Sequence, residues 1–405
     1  MQTDLKNRLK ALGFTFLTEK AFLKQKRKLT LDNIIEGHWL DPNRRSIYIH
    51  QQIFPLGQRY GNRIIQKQVN TRELIKYFGI EHLDINNANL DFVFLDTETT
   101  SLGLGNGTQV FLIGFCFFTN DGLVVEQIFL EDPTEELEFL SYLDNQLNKF
   151  NIICTFNGKS FDIPILRTRF TLNRLRPEFV HIPHYDLLHV SRQLWAGQYE
   201  NCKLSELEKQ VIQFTRESEE VPGWMIPQLY FDYMKNGDPE PLKGVFYHNE
   251  CDIVSLAMLF GVVAGILHEP LHVANENPNL LRLAKAYFRK DEWEKSITIA
   301  ASLHTQSVST SEKAKCAHLL GTLSKKTGRP DESICWFLNA ENSGIFESAE
   351  ELSKYYEHRK KDYNQALIHA ELGSEIAFRQ SNTHQINKIR KRIERLKRKL
   401  DGQHV

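Results

Sequence analysis

The stretch "FVFLDTETTSLGLGNG", Phe92 to Gly107, begins as a buried strand and ends in acids. Four apolar residues in a row are what a covered strand carries, and a covered strand has no use for Asp96 and Glu98. Residues i and i+2 of a strand point to the same face, so the two carboxylates aim at one spot. Like charges held that close repel unless a proton or a cation sits between them. Hard divalent ions such as Mg²⁺ take oxygen ligands of this kind.

The strand lies in a segment that alternates between the two regular periods. "DFVFLDT", "TQVFLIGFCFF", "LVVEQIFL" and "NIICTF" read as strands, and the second is apolar throughout, as expected of a central strand covered on both faces. Asn120-Asp121-Gly122 is a hairpin turn between the second and third. "PTEELEFLSYLDNQLNKF" reads as a helix, with Pro133 and acids at its start. Adjacent strands followed by alternating helices and strands predict a mixed sheet with flanking helices. Residues 1–90 form an α+β preface: a helix over 5–12, a strand in "RSIYIHQQIFPL" and a short helix in "TRELIKYFGI".

Strand signals end near residue 276, after a linker at Asn275-Glu276-Asn277-Pro278-Asn279. Three stretches from 280 to 373 then repeat a small/aromatic helix, a polar turn and a second amphipathic helix. Ser296, Ser333 and Ala366 hold matching places, 37 and 33 residues apart, near the tetratricopeptide period. The expected domains are therefore 1–90, 91–272 and helical repeats over 276–400.

At 405 residues the chain is too long for one ordinary core. Its 41% hydrophobic and 25% charged residues fit a folded globular protein. No run of ~20 apolar residues and no secretory signal are expected. Six scattered cysteines without a CxxC pair argue for a reducing cytoplasm. Net charge is −1, which excludes a uniformly basic nucleic-acid binder. Basic runs at 23–28 ("LKQKRK") and in "INKIRKRIERLKRKLDG" are either solvated faces or footprints for phosphates.

Two more acidic sites follow the first. "CTFNGKSFDIPIL" sets Asp162 beyond a strand and a glycine-containing loop. "FYHNECDIVSLAMLF" sets Asp252 on an apolar helix, four residues after His248 and on its face. An acid on such a surface is unfavourable unless paired or liganded. Each piece alone is common; the ordered set of strand–DTETT, strand–N-x-x-x-F-D and helix H-x-x-x-D is not.

That set resembles the three motifs of the DEDD (DnaQ-like) 3′–5′ exonucleases, which have a ribonuclease-H-like fold. "DTETT" is similar to the first motif, "TFNGKSFDIP" to the second as it stands in proofreading domains of family B DNA polymerases, and "HNECDIVSL" to the third. Together with "CKLSELEK" they resemble the bacterial YprB-like proteins, some of which carry tetratricopeptide-like tails. The resemblance covers about residues 91–265. It implies an α/β ribonuclease-H-like domain followed by an all-α helical-repeat domain. It also implies a two-metal 3′–5′ exonuclease acting on single-stranded DNA or RNA. Asp96, Glu98, Asp162 and Asp252 would hold two Mg²⁺ or Mn²⁺ ions, with Asp96 bridging both.

The family carries Tyr or His near the last Asp, and this chain has both. His248 stands at the tyrosine position, and Tyr247 at the position of the family histidine. Either could orient the attacking water; the i,i+4 spacing favours His248. Thr97, Thr99, Leu102, Asn157 and Phe161 are candidates for substrate contact, although Leu102 and Phe161 fit ordinary core packing equally. Asp186 reads as a helix cap near the site. A partner-binding or nucleic-acid-binding scaffold with weak catalysis, and a metal-dependent endonuclease, are the competing functions.

Overall fold

In the computed structural model, which describes residues 29–67, 71–79, 90–101, 103, 105, 107–216, 220–272 and 277–401, the apolar runs become strands where they were expected. The helix expected over 5–12, the basic run at 23–28 and Leu102 lie outside the described residues. In chain order come β1 (His38–Trp39), β2 (Ile47–Pro55), the β3–β4 ribbon (Arg59–Tyr60, Arg63–Ile64), α1 (Arg72–Phe78), β5 (Phe92–Thr99), β6 (Val110–Phe118) and β7 (Gly122–Leu130). Then follow α2 (Glu136–Leu147), β8 (Ile152–Thr155), α3 (Asp162–Leu172), β9 (His184–Asp186), α4 (Leu187–Trp195), α5 (Leu204–Leu207), α6 (Ile226–Asn236) and α7 (Leu242–His268).

Seven strands make one mixed sheet in the order β1-β2-β7-β6-β5-β8-β9. The first five pair antiparallel, and β8 and β9 add parallel beyond β5. Each face is covered. Val93, Leu95, Ile113, Phe115 and Ile128 pack with Phe139, Leu140 and Leu143 of α2 and Ile165, Leu166 and Phe170 of α3. Phe111 and Phe129 pack on the other side with Tyr230 and Tyr233 of α6 and Leu242, Val245 and Phe246 of α7. Cover on both sides explains why β6 and β7 lack the apolar–polar alternation of a half-exposed sheet.

Three expectations change. The segment read as a preface is not separate, because β2 pairs with β7 from Ile47–Leu130 to Pro55–Gly122 and so extends the sheet. Its Ile47, Tyr48 and Ile49 are buried, and isolated hairpins cannot bury such residues. The described residues divide into two compact units, one of those up to Leu188 with those from Lys203 to Val262, the other of His189–Cys202 with those from Val263 on. The division falls inside α7 rather than at the Asn-rich linker. Lastly, α7 is a 27-residue helix apolar enough by length and composition to cross a membrane, where no such run was expected. Its apolar side chains are buried, and it carries His248, Asn249, Glu250 and Asp252, as a core helix serving a site does.

The second unit contains three helical hairpins: α8 (Leu280–Arg289) with α9 (Trp293–Gln306), α10 (Thr310–Lys326) with α11 (Pro330–Asn342), and α12 (Phe346–Tyr355) with α13 (Tyr363–Arg379), followed by α14 (Thr383–Asp401). In the first two hairpins a buried serine of the second helix donates back to the first: Ser296 to the Ala284 carbonyl and Ser333 to the Gly321 carbonyl, both at 2.8 Å. The third reverses this, with Ser353 of the first helix donating to the carbonyl of Ala366 at 2.8 Å. That reversal is why alanine replaces serine at the third matching position.

The basic face of α14 is largely consumed inside this unit. Arg392, Arg395 and Lys399 all reach Glu357, at 2.6, 2.7 and 2.8 Å, and Lys388 reaches Glu350 at 2.7 Å. The Glu357 side chain is fully enclosed. Burial pushes its carboxyl up, but hydrogen bonds from Lys399 and Arg395 and the charges of Arg395 and Arg392 outweigh this and hold it at about 2. Glu357→Gln should lower the thermal midpoint, with a loss of about 2–3 kcal/mol. A depressed carboxyl stabilises only above its unfolded value, so the wild type's advantage should be full above about pH 4.5 and vanish as the pH falls through about 2. Thermal unfolding of both proteins across that range checks this.

Candidate active site

The acids gather where β5 ends against the N-terminus of α3 and the middle of α7. Val93 and Leu95 face α2 and α3, so by the period of two Asp96 and Glu98 face α7 while Thr97 faces α3. Thr97 accordingly donates its hydroxyl to Asp162 Oδ1 at 2.6 Å, with both residues buried. Asp96 Oδ2 accepts from Asn249 Nδ2 of α7 at 3.0 Å. The β5–β6 register shifts between Glu98 and Thr99, one pair before β5 ends.

Asn249 was not singled out from the sequence, yet it is fully buried at the centre of this arrangement. Its Oδ1 accepts from Gln127 Nε2 of β7 at 2.8 Å, and Gln127 Nε2 also donates to the Phe246 carbonyl at 2.9 Å. The side chain passes over Gly114, the residue paired with Asp96 across the sheet. A Cβ at Gly114 would lie 2.0 Å from Asn249 Oδ1. The glycine inside "FLIGFCF" was the available signal, since glycine in a strand interior marks close approach by another group.

Asp162 is set by the loop before α3. Asp186, 1% exposed, accepts from the N–H groups of Asn157 (2.8 Å), Lys159 (3.0 Å) and Leu188 (3.0 Å). It therefore caps α4, as read from the sequence, and also ties down the loop. Asn157 itself is exposed with a left-handed φ of 69°. Phe161 packs against the α2–α3 core, the plainer of its two readings. Thr99 donates to the Ser101 carbonyl at 2.7 Å. The hydroxyls of Thr97 and Thr99 are thus engaged within the protein.

On α7, His248 Nε2 lies 3.4 Å from Asp252 Oδ2, the i,i+4 contact expected. Tyr247, one residue earlier, lies about 100° round the helix from His248. Arg216 was missed by sequence reading because it comes from a loop remote in sequence. It donates through Nη2 to Asp252 Oδ1. It also holds Glu208 through Nε and Nη2 (2.8 and 2.9 Å) and Glu220 through Nη1 (2.8 Å). Glu208 lies in the "CKLSELEK" stretch.

The electrostatics follow from this crowding. Burial drives the Asp96 carboxyl well above its ordinary value, and repulsion from Asp252, Asp162 and Glu98 adds to it. Burial also raises Glu98 to about 8, against the attraction of His248. Asp162 rises to about 6 through burial, tempered by the Thr97 hydroxyl. For Asp252, burial is outweighed by the hydrogen bond and charge of His248 and by Arg216, so its carboxyl is lowered. His248 is raised to about 9: burial opposes its charge, but the hydrogen bond and charge of Asp252 and the charge of Glu98 prevail.

Four carboxylates that repel one another are the oxygen donor set a divalent cation satisfies. Among the described residues no group of three or more acids, histidines or cysteines is placed so that it could hold such an ion as the side chains stand. Asp252 is turned to Arg216 and His248, and Asp162 to Thr97. The donor chemistry fits; closing the site requires Asp252 to share or exchange a partner.

A model of the RNase H superfamily matches residues 93–264, which carry all four acids. Over 369 residues, 87% of this chain and 86% of its relative, the sequence is 33% identical to the protein YprB of Bacillus subtilis (strain 168). The chain belongs to the YprB family, with an RNase H-like nuclease fold. A solved family B DNA polymerase from the hyperthermophilic archaeon Pyrobaculum calidifontis is similar over 59% of this chain and 30% of its own length. That match has 12% identity and a TM-score of 0.34, too low to compare sites.

Two outcomes follow. Gly114→Ala should displace Asn249 and leave buried polar groups unpaired, at about 1–3 kcal/mol. In an Asn249→Ala background the same change should cost far less, which a double-mutant cycle by denaturant unfolding measures. Glu98 and His248 both have folded values above their unfolded ones, so the folded metal-free protein binds more protons than the unfolded chain between about pH 4.5 and 9. Its stability should fall as pH rises through that window. Glu98→Gln should flatten the part between about 4.5 and 8, read by thermal unfolding in chelator.

Proposed function

We propose that this chain is a divalent-metal-dependent nuclease, a 3′–5′ exonuclease that hydrolyses phosphodiester bonds of single-stranded DNA or RNA. The observation that carries the reading is the convergence of Asp96, Glu98, Asp162 and Asp252 where β5 ends against α3 and α7, with Asp96 and Glu98 raised by burial and by their neighbours' charge. Asp96, Glu98, Asp162 and Asp252 would hold two Mg²⁺ or Mn²⁺ ions. Two such ions supply an activated water and stabilisation of the leaving 3′ oxygen.

The chain's own residues then do the following. Asn249 orients Asp96, and Thr97 orients Asp162. His248 takes the proton of the attacking water. It retains its own proton in the metal-free protein largely because of Asp252 and Glu98. It becomes a base only once their charge is neutralised. The helical hairpins are read as tetratricopeptide-like and offer a surface for a protein partner. With all six cysteines free, a cytoplasmic location completes the proposal.

One observation favours a second reading, a scaffold with weak catalysis: both Asp252 oxygens face cations of the protein. The two readings part in one assay. Single-stranded DNA and RNA of one sequence, labelled at the 5′ end, are incubated with protein and Mg²⁺ or Mn²⁺. The nuclease reading expects a 5′-labelled ladder shortening from the 3′ end, abolished by chelator and by Asp96→Ala or Asp252→Ala. An early internal cut would make it an endonuclease, and no cleavage would favour the scaffold. His248→Ala should lower turnover by about 10²–10⁴-fold while metal binding persists, and Tyr247→Phe should stay near wild type. The reverse pattern would move the role to Tyr247.

A further inference from the structure

Around the four acids lies a second charged layer that the proposed chemistry does not use. Glu208 and Glu220 bring the carboxylates to six, against two cations, Arg216 and His248.

Arg216 is built into this layer rather than resting on it. Its side chain is 6% exposed, and its Glu208 partner 4%. Glu208 Oε2, which accepts from Arg216 Nη2, also accepts from the hydroxyl of Ser255, which lies 2.9 Å from the hydroxyl of Tyr60. One oxygen of Glu220 lies 2.8 Å from Arg216 Nη1 and 3.4 Å from His248 Nδ1, so it bridges the two cations. Glu208 and Glu220 thus anchor the guanidinium through Nε, Nη1 and Nη2 without help from Asp252. The contact with Asp252 is an additional one: Oδ1 accepts from Arg216 Nη2, while Oδ2 faces His248. A guanidinium anchored in this way can release Asp252 and stay in place.

We propose that Arg216 is a positioning residue: an internal counter-cation that holds Asp252 in the metal-free protein and gives up that carboxylate when a divalent ion binds. The inference rests on the metal-site reading of the four acids and extends it to a residue outside them. The physical content is competition. A fixed positive charge on Asp252 relieves repulsion among the acids while no ion is present. It also opposes binding of an ion to the same oxygen. A residue that merely supported the fold would do the first and not the second.

The two roles separate in Arg216→Gln, measured on the full chain in the absence of nucleic acid. Removal of the charge should lower the thermal midpoint of the metal-free protein, because buried Glu208 loses its partner. It should also tighten Mn²⁺ binding by about tenfold, read by calorimetric titration of Mn²⁺ into chelator-treated protein. A lower midpoint with Mn²⁺ affinity unchanged or weakened would overturn the proposal, as would failure of the wild type to bind Mn²⁺. Should Arg216→Gln not fold, two measurements decide. Arg216→Lys keeps the charge but loses the three-way fork, and Mn²⁺ affinity should then stay within about threefold of wild type. In the wild type the guanidinium NMR signal of Arg216, assigned by its loss in Arg216→Lys, should shift as diamagnetic Mg²⁺ is added; an unmoved signal at saturating Mg²⁺ overturns the proposal. Cleavage enters none of these readouts, so their result is independent of whether the chain cuts nucleic acid.

Discussion

Mutual repulsion among Asp96, Glu98, Asp162 and Asp252 is the constraint around which the first unit is organised. Carboxylates taken out of water and brought within electrostatic reach of one another are unfavourable in their charged forms. The surrounding residues relieve that strain unequally. Asp252 is relieved most, by Arg216 and His248, and its carboxyl ends up lowered. Asp162 has the Thr97 hydroxyl and settles at about 6. Asp96 has only the amide of Asn249 set against burial and three like charges, and it stays well above its ordinary value.

Backbone placement makes this cluster possible. The antiparallel strands β6 and β7 form a largely apolar wall, interrupted towards α7 at the paired Gly114 and Gln127, where the wall admits Asn249. Gly114 lets an α7 side chain reach across to β5, and Gln127 saturates its oxygen, so the carboxamide is fixed in one orientation. Buried polar groups satisfied on both sides are rigid, because any rotation breaks a bond that water cannot replace. On the far side of β5, the 157–159 loop is bound to Asp186, which positions the start of α3 and Asp162 with it. Asp96 and Asp162 are thus each placed by hydrogen bonds that other elements supply.

The tail illustrates how a charge run can mislead. The repeating Lys and Arg residues of α14 look like a phosphate-binding stripe, but most of that face neutralises Glu350 and Glu357 within its own unit. Arg390, Lys391 and Arg398 remain on the exposed side. A buried carboxylate shared by three cations is a tie between helices. Its ligands cannot leave it for a phosphate without exposing an uncompensated charge in a closed interior.

Much of the fold was legible because it rests on local patterns. The period of two placed Asp96 and Glu98 on one side of β5, the i,i+4 spacing placed His248 against Asp252, and the apolar run 110–118 announced a strand covered on both faces. The serine-to-carbonyl ties of the hairpins were visible as a repeat, though not as hydrogen bonds. What no local pattern carried was pairing between distant segments: β2 against β7, Asn249 over Gly114, Arg216 and Glu208 beside Asp252. In the sequence Asn249 is one polar residue between two acceptable neighbours, and Arg216 is a loop residue 36 positions from its partner. Periodicity reports which face of an element a side chain takes, because that follows from backbone geometry alone. Which partner waits on that face is set by packing between elements, and only the tertiary structure decides it.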